Sequence, residues 1–287
     1  AAPISSMVAP APGTWSNVQH QSSFAPAPAS SLTVTPSAPL LAGDLMVVSV
    51  AWGDQTSTPT ITDGLGNVYR AIGTPARYAG RRSVQLFYAK NVNGGSSPIT
   101  VTFSAAVENR YVGISEYSGL DTAAPLVASA TGRGGNASTS RVPVAATARG
   151  QLLFAINQNG AAGISRVAGN TPTLLDTGSA GNVGQAHGRS AVAGAAAITF
   201  RFNARGAWAT AAAAFKVRSK RAPTRCRAQN RRTRARTYRP TRTTASPRAP
   251  GTSTTRPARP QRKHPRLRVP PSGCVRRTTI TPPRPSR

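Results

Sequence analysis

Acidic residues are scarce in this chain of 287 residues, and none follows Asp176. Seven Asp and Glu stand against 36 Lys and Arg, a formal net charge of +29. Histidine is rarer still. Only His20 and His187 precede the basic C-terminal stretch, so that region has no HExxH and no metal-spaced histidine cluster. Gly-x-Ser-x-Gly and the P-loop are missing too. Gly64-Leu65-Gly66 and the Gly132–Gly135 cluster lead into no helix-patterned segment, which removes the usual ground for a phosphate cradle. Cysteine is limited to Cys226 and Cys274. With only His264 beside them they fall short of a zinc set, and a disulfide between them would close a loop without touching the rest of the chain. No apolar run approaches the length of a membrane-spanning helix. The opening AAPISSMVAPAPG lacks an initiator Met and the charged and apolar regions of a signal peptide. It reads as a processed or trimmed end, with residues 1–12 a disordered segment.

What is present divides the chain near Val217. Residues 218–287 hold 20 Arg and 2 Lys without one acid, a charge of +22, which leaves +7 for residues 1–217. The large apolar side chains of this tail, Tyr238, Leu267, Val269, Val275 and Ile280, are scattered. That is too little apolar surface to offset the entropy of ordering the segment, and its prolines break helices and remove strand donors. The composition predicts a disordered basic tail with local polyproline II character. Three readings of it stand side by side. It is a solvated, self-repelling linker. It is a polyanion-binding arm, in which Arg231, Arg232, Arg234, Arg236, Arg276 and Arg277 engage the phosphates of a nucleic acid with little sequence readout. Or it is an out-of-frame translation of GC-rich DNA, which the excess of Arg over Lys suggests, since phosphate binding has no need to avoid Lys.

Residues 13–217 show period-two hydrophobicity broken by turn residues. Ile99, Val101 and Phe103 alternate with threonines, as do Leu32 and Val34; Ile198, Phe200 and Phe202 alternate with Thr199 and Arg201. The run Leu45–Trp52 is apolar on both faces, as a central strand is. Turn clusters are predicted at Asp63–Asn67, Asn93–Gly95, Gly132–Asn136 and Gly178–Gly184, and a final hairpin around Asn203–Gly206. No stretch keeps a helical stripe. Some twelve to fifteen short strands are expected, arranged as an all-β, two-sheet antiparallel sandwich.

Three segments, taken in order, carry a resemblance. They are Ala42-Gly43-Asp44-Leu45-Met46-Val47-Val48 running into Trp52-Gly53-Asp54; Asp63-Gly64-Leu65-Gly66-Asn67-Val68-Tyr69; and Glu116-Tyr117-Ser118-Gly119-Leu120-Asp121. Together they resemble a β-sandwich module of large secreted and cell-surface bacterial proteins. The resemblance spans about residues 13–217. It implies a jelly-roll-like sandwich and a secreted or cell-surface setting, and it implies no established activity. The tail departs from the pattern, where another folded module or a neutral linker is expected.

Candidate chemistry rests on few residues. Glu116 shares strand parity with Val112 and Ile114, so it points toward a core and needs a partner such as Arg110. Glu116, Trp52 and Tyr117 are candidates for ligand contact, with Trp52 equally suited to the core. Asp54, Asp63, Asn67 and Asp121 sit at strand ends or turns and form a candidate Ca²⁺ set, or else cap their own turns. Loops 53–67 and 118–139 are the expected carriers of binding. Three functions follow as expectations. The first is a non-catalytic extracellular module for adhesion, glycan or surface-protein contact, or spacing. The second is a jelly-roll coat or packaging protein whose basic arm binds nucleic acid. The third is a carbohydrate-active enzyme with Glu116 and a second carboxylate in one cleft.

Overall fold

The computed structural model describes residues 13–219 apart from 55, 79–81, 161–162 and 179–181. Of the predicted disordered segments 1–12 and 218–287, only Arg218 and Ser219 are described, and the Arg218 amide donates to the Gly119 carbonyl at 2.9 Å; the rest, with both cysteines, lies outside the described residues. The described chain is all β. Its first eight strands are β1 (Ser16–Ala25), β2 (Ala29–Val34), β3 (Leu45–Trp52), β4 (Pro59–Asp63), β5 (Arg70–Tyr78), β6 (Arg82–Ala89), β7 (Ile99–Val107) and β8 (Arg110–Ser118). The next eight are β9 (Leu126–Arg141), β10 (Val144–Ala146), β11 (Leu152–Asn159), β12 (Ile164–Ala168), β13 (Thr173–Asp176), β14 (Val183–Arg189), β15 (Gly194–Ala196) and β16 (Thr199–Phe215). Among the described residues no helix is long and apolar enough to cross a membrane.

Every pairing is antiparallel, and the order of the strands repeats. One sheet runs β1-β8-β3-β6-β5 and a smaller one β2-β7-β4. The second half of the chain rebuilds this eight strands later: β16-β11-β14-β13 with β9 on the outer side of β16, and β12 on the N-terminal half of β16. The register repeats as well. Leu45 faces Tyr117 and Ala51 faces Tyr111; Leu152 faces Phe215 and Gln158 faces Ala209. Gly43 and Gly150 both enter the central strand at positive φ, 91° and 83°, where a side chain is strained. The backbone hydrogen bond from Gly53 to Glu108 recurs from Gly160 to Ala207, each at 2.8 Å. The fold is therefore a tandem pair of jelly-roll-like repeats, residues 16–118 and 126–215.

This doubling extends the predicted two-sheet sandwich. In the first repeat, Met46, Val48, Val50, Trp52, Val112 and Ile114 pack against Val34, Ile99, Val101 and Phe103 of the smaller sheet. The opposite face of the same large sheet, with Leu45, Val47, Val84, Leu86 and Tyr117, packs on Leu152, Phe154, Ile156, Ala211, Ala213 and Phe215 of the second repeat. The second repeat closes its far side over Leu153, Ala155, Phe200, Phe202 and Ala212. Both large sheets are thus covered on both faces, which is why β3 and β11 are buried along their whole length.

Two turn predictions are corrected. Gly132–Asn136 lies inside β9, because Gly132 and Gly134 pair with β16 and lie against the Trp208 ring, where a Cβ on Gly134 would come within 2.7 Å of the indole nitrogen. Asn203–Gly206 is no hairpin. It is an irregular stretch where β16 passes from pairing with β12 to pairing with β11. The sixteen strands exceed the expected count because the short β10 and β15 carry little hydrophobic pattern.

Gly113 makes room for the Gln185 side chain between the two large sheets: an added Cβ would overlap its amide. Gly113→Ala is expected to lower stability by about 1–3 kcal/mol through overpacking. Urea unfolding of the variant beside the parent measures this.

Candidate functional site

The interface between the two large sheets is apolar on one side and polar on the other. Where β6 meets the second repeat, Val84 and Leu86 pack on Ile156, Ala211 and Ala213. Where β14 meets the first repeat, the matching positions are Val183, Gln185 and His187, and they face Ser49, Tyr111, Gly113 and Tyr117. The Gln185 side chain bridges the sheets, accepting from the Ser49 hydroxyl and donating to the Tyr111 oxygen. Tyr111 then donates to Asp176 at 2.7 Å, and Ser22 of β1 donates to the same carboxylate oxygen. A second branch runs from Tyr117 Oη to His187 Nδ1, 2.9 Å, and His20 Nδ1 lies 2.9 Å from Ser115 Oγ. Trp15 caps the branch edge-on to both Tyr117 and His187, with the Arg189 guanidinium 4.1 Å over its ring.

Both histidines of the folded region therefore meet in one seam. Burial holds His187 down to about 4, helped by His20 and Arg189, while burial lowers His20 against the attraction of Asp176. Burial works to raise Asp176, but the hydrogen bonds from Ser22, Tyr111 and Gly178 outweigh it and keep the carboxylate ionised. Burial drives Tyr111 and Tyr117 far above the ordinary tyrosine range. The seam is a hydrogen-bonded closure between sheets, not an open cleft. Sequence reading missed it: Asp176, His187 and Gln185 are separated from their partners on the first repeat by 65 to 154 positions.

The residues singled out from the sequence fall elsewhere. Glu116 is fully buried, and its two oxygens accept from the Leu41 amide and the Gln19 side chain, each at 2.6 Å. Arg110 is not its partner; the guanidinium binds the carbonyls of Ser31 and Ala27. Glu116 is therefore closed off from solvent. Trp52 and Tyr117 have no exposed surface, so neither can stack on a ligand. Trp52 packs against Phe103, and Tyr117 against Trp15 and Phe154.

The Ca²⁺ candidates serve their own turns. Asp54 accepts from Thr56 and Ser57; burial opposes ionisation there, and these bonds reverse it strongly. Asp63 accepts from Leu65, Asn67 and Tyr69, and again the bonds outweigh burial. Asp121 accepts from Ala123 and Ala124 and pairs with Lys216 at 3.4 Å. Among the described residues no three His, Cys, Asp or Glu side chains cluster as metal ligands. Arg231, Arg232, Arg234, Arg236, Arg276 and Arg277 lie outside the described residues.

An open groove of about 420 Å³ lies along the β5–β9 edge, lined by Tyr78, Arg133, Gly134, Gly135 and Ala207. It continues past Arg77, Thr131 and Gly132. The glycines of β9 leave its floor bare. With this geometry in hand, comparison with known proteins finds no matching family model, no matching curated protein and no matching solved structure.

One carboxylate stands out. Burial, then the nearby Glu116, raise Asp44 to about 6 against the pull of Arg218, and its Oδ2 has no hydrogen-bond partner. The second repeat places Gln151 at this position, with its amide bonded to Thr147. Because the folded state holds the Asp44 proton more tightly than the unfolded chain, this group lowers stability as pH rises from its ordinary value of 3.8 to about 6. Asp44→Asn is expected to melt higher than the parent at pH 7.5, with the gap closed at pH 4. The seam histidines act in the opposite sense. They resist protonation when folded, so their contribution is full above the ordinary histidine value of 6.5 and is lost as pH falls toward 4. Replacing both, His20→Gln with His187→Gln, should flatten the acid-side loss in thermal melts across that range.

Proposed function

We propose that residues 13–217 form a non-catalytic, extracellular β-sandwich module that acts in adhesion, glycan contact or spacing on a bacterial surface or secreted protein. The observation that carries this reading is the fate of the carboxylates. Glu116 is sealed beneath Leu41, Asp176 is tied into the seam, and Asp54, Asp63 and Asp121 hold turns. Hydrolysis of a glycoside needs two carboxyl groups flanking a substrate cleft. Asp44 and Glu116, which lie close enough to interact, are buried at 9% and 0% exposure. The motifs with the surface-module resemblance do structural work of the same kind: Gly43-Asp44-Leu45 opens β3, Asp63–Tyr69 closes a turn on itself, and Asp121 caps the crossing between the repeats.

A module of this kind binds without turnover. Incubation with a panel of polysaccharides should release no reducing ends, while a glycan array read with and without Ca²⁺ should show retention of some of them. Reducing-end release that disappears in Glu116→Gln would contradict the proposal.

A further inference from the structure

The internal duplication supplies its own comparison, and the two repeats differ in charge. Residues 13–125 carry Arg70, Arg77, Arg81, Arg82, Lys90 and Arg110 against six of the seven acids, and so are neutral. Residues 126–217 carry seven Arg and Lys216 against Asp176 alone, and so hold the whole excess of +7. Asp176 is engaged in the seam and Lys216 is paired with Asp121, so the excess rests on the arginines.

Three of these arginines share one face. In the first repeat, the outer face of the small sheet is a hydroxyl array. Thr33 stands opposite Thr100 and that opposite Thr62, while Ser31 stands opposite Thr102 and that opposite Thr60. The second repeat keeps the register and changes the residues. Arg201 takes the place of Thr102, Arg166 that of Thr60, and Arg141 that of Thr33. All three are exposed, and the alternating Phe200 and Phe202 point inward. Arg166 sits directly opposite Arg201 across the β12–β16 pair. Neighbouring strands are about 4.8 Å apart and alternate residues about 6.8 Å, so the three guanidinium groups crowd one small patch. Like charges directly opposite destabilise a sheet. The first repeat shows that the register does not require them.

We infer that the outer face formed by β12, the start of β16 and the end of β9 binds an acidic polysaccharide, whose carboxylates the Arg141, Arg166 and Arg201 side chains take up. Guanidinium forks match carboxylates in pairs of parallel hydrogen bonds. The hydroxyls beside them in the register, Thr139 and Thr199, suit the sugar ring. The face presents no aromatic side chain, so it has no platform for stacking the bases of a single-stranded nucleic acid. This site rests on the reading of the chain as an extracellular glycan-contacting module, and deepens it by naming the ligand class.

The test uses the full chain and a readout confined to the folded part. Oligogalacturonate is the probe, its methyl ester the uncharged control and oligo(dT) the nucleic-acid arm. Hydrogen exchange and melting temperature are followed at fixed salt. Oligogalacturonate should raise the melting temperature and protect residues 139–141, 164–168 and 199–202, and the methyl ester should do neither. The variant Arg141→Thr/Arg166→Thr/Arg201→Thr restores first-repeat chemistry. It should melt no lower than the parent without ligand, and bind at least about tenfold more weakly. Undiminished protection in that variant overturns the site. Protection by oligogalacturonate at other strands overturns the site while upholding the glycan-contact reading. Protection of these strands by oligo(dT) alone overturns both.

Discussion

The face-to-face contact of the two large sheets is the constraint on which the rest of the structure depends. Each repeat is a jelly-roll-like sandwich whose large sheet has one face already filled by its own small sheet. The other face, Leu45, Val47, Val84 and Leu86 in one repeat and Leu152, Phe154, Ile156 and Phe215 in the other, would otherwise be open to water. Apolar burial of this extent contributes roughly 1.5–3 kcal/mol per large side chain. The repeats therefore behave as one core cut into two chain halves, with the crossing held by Asp121, Lys216 and the backbone bridge from Asp121 to Lys216.

Apolar contact alone does not fix how two flat faces sit. The polar half of the interface supplies that direction. Gln185 can satisfy both ends of its amide only when Ser49 and Tyr111 stand opposite, and Gly113 is the one position that lets it approach. A slipped arrangement would leave Gln185 and the hydroxyls of Tyr111 and Tyr117 buried without partners, each at a penalty of about 1–3 kcal/mol. The seam histidines belong to the same lock. Their neutrality ties the arrangement of the sheets to pH.

The fold was legible in the sequence wherever one face of a strand is wet. Ile99–Phe103 and Ile198–Phe202 alternate cleanly because threonines or arginines face solvent there. The duplication was not legible, because covered strands lose their alternation and the two copies of the central strand diverge. Gly43-Asp44-Leu45 and Gly150-Gln151-Leu152 keep the turn, while Val50-Ala51-Trp52 becomes Asn157-Gln158-Asn159. Glycine misled at Gly132–Asn136, where it makes room for Trp208 rather than for a turn. Glu116 was rightly read as inward-facing by parity, but its partner, the Leu41 amide, lies 75 positions away and carries no side-chain signal. Charge asymmetry between the halves was visible in composition, but it acquired meaning only once the shared register showed which threonines the arginines replace.

The central claim is that two repeats form one cooperative unit through their shared interface. Expressing residues 13–124 and 125–219 as separate chains and following each by thermal unfolding and light scattering tests it most directly. Each half alone should associate or lack a cooperative transition, and mixing the halves should restore one. A monomeric half that unfolds cooperatively with the stability of the joined chain would contradict it.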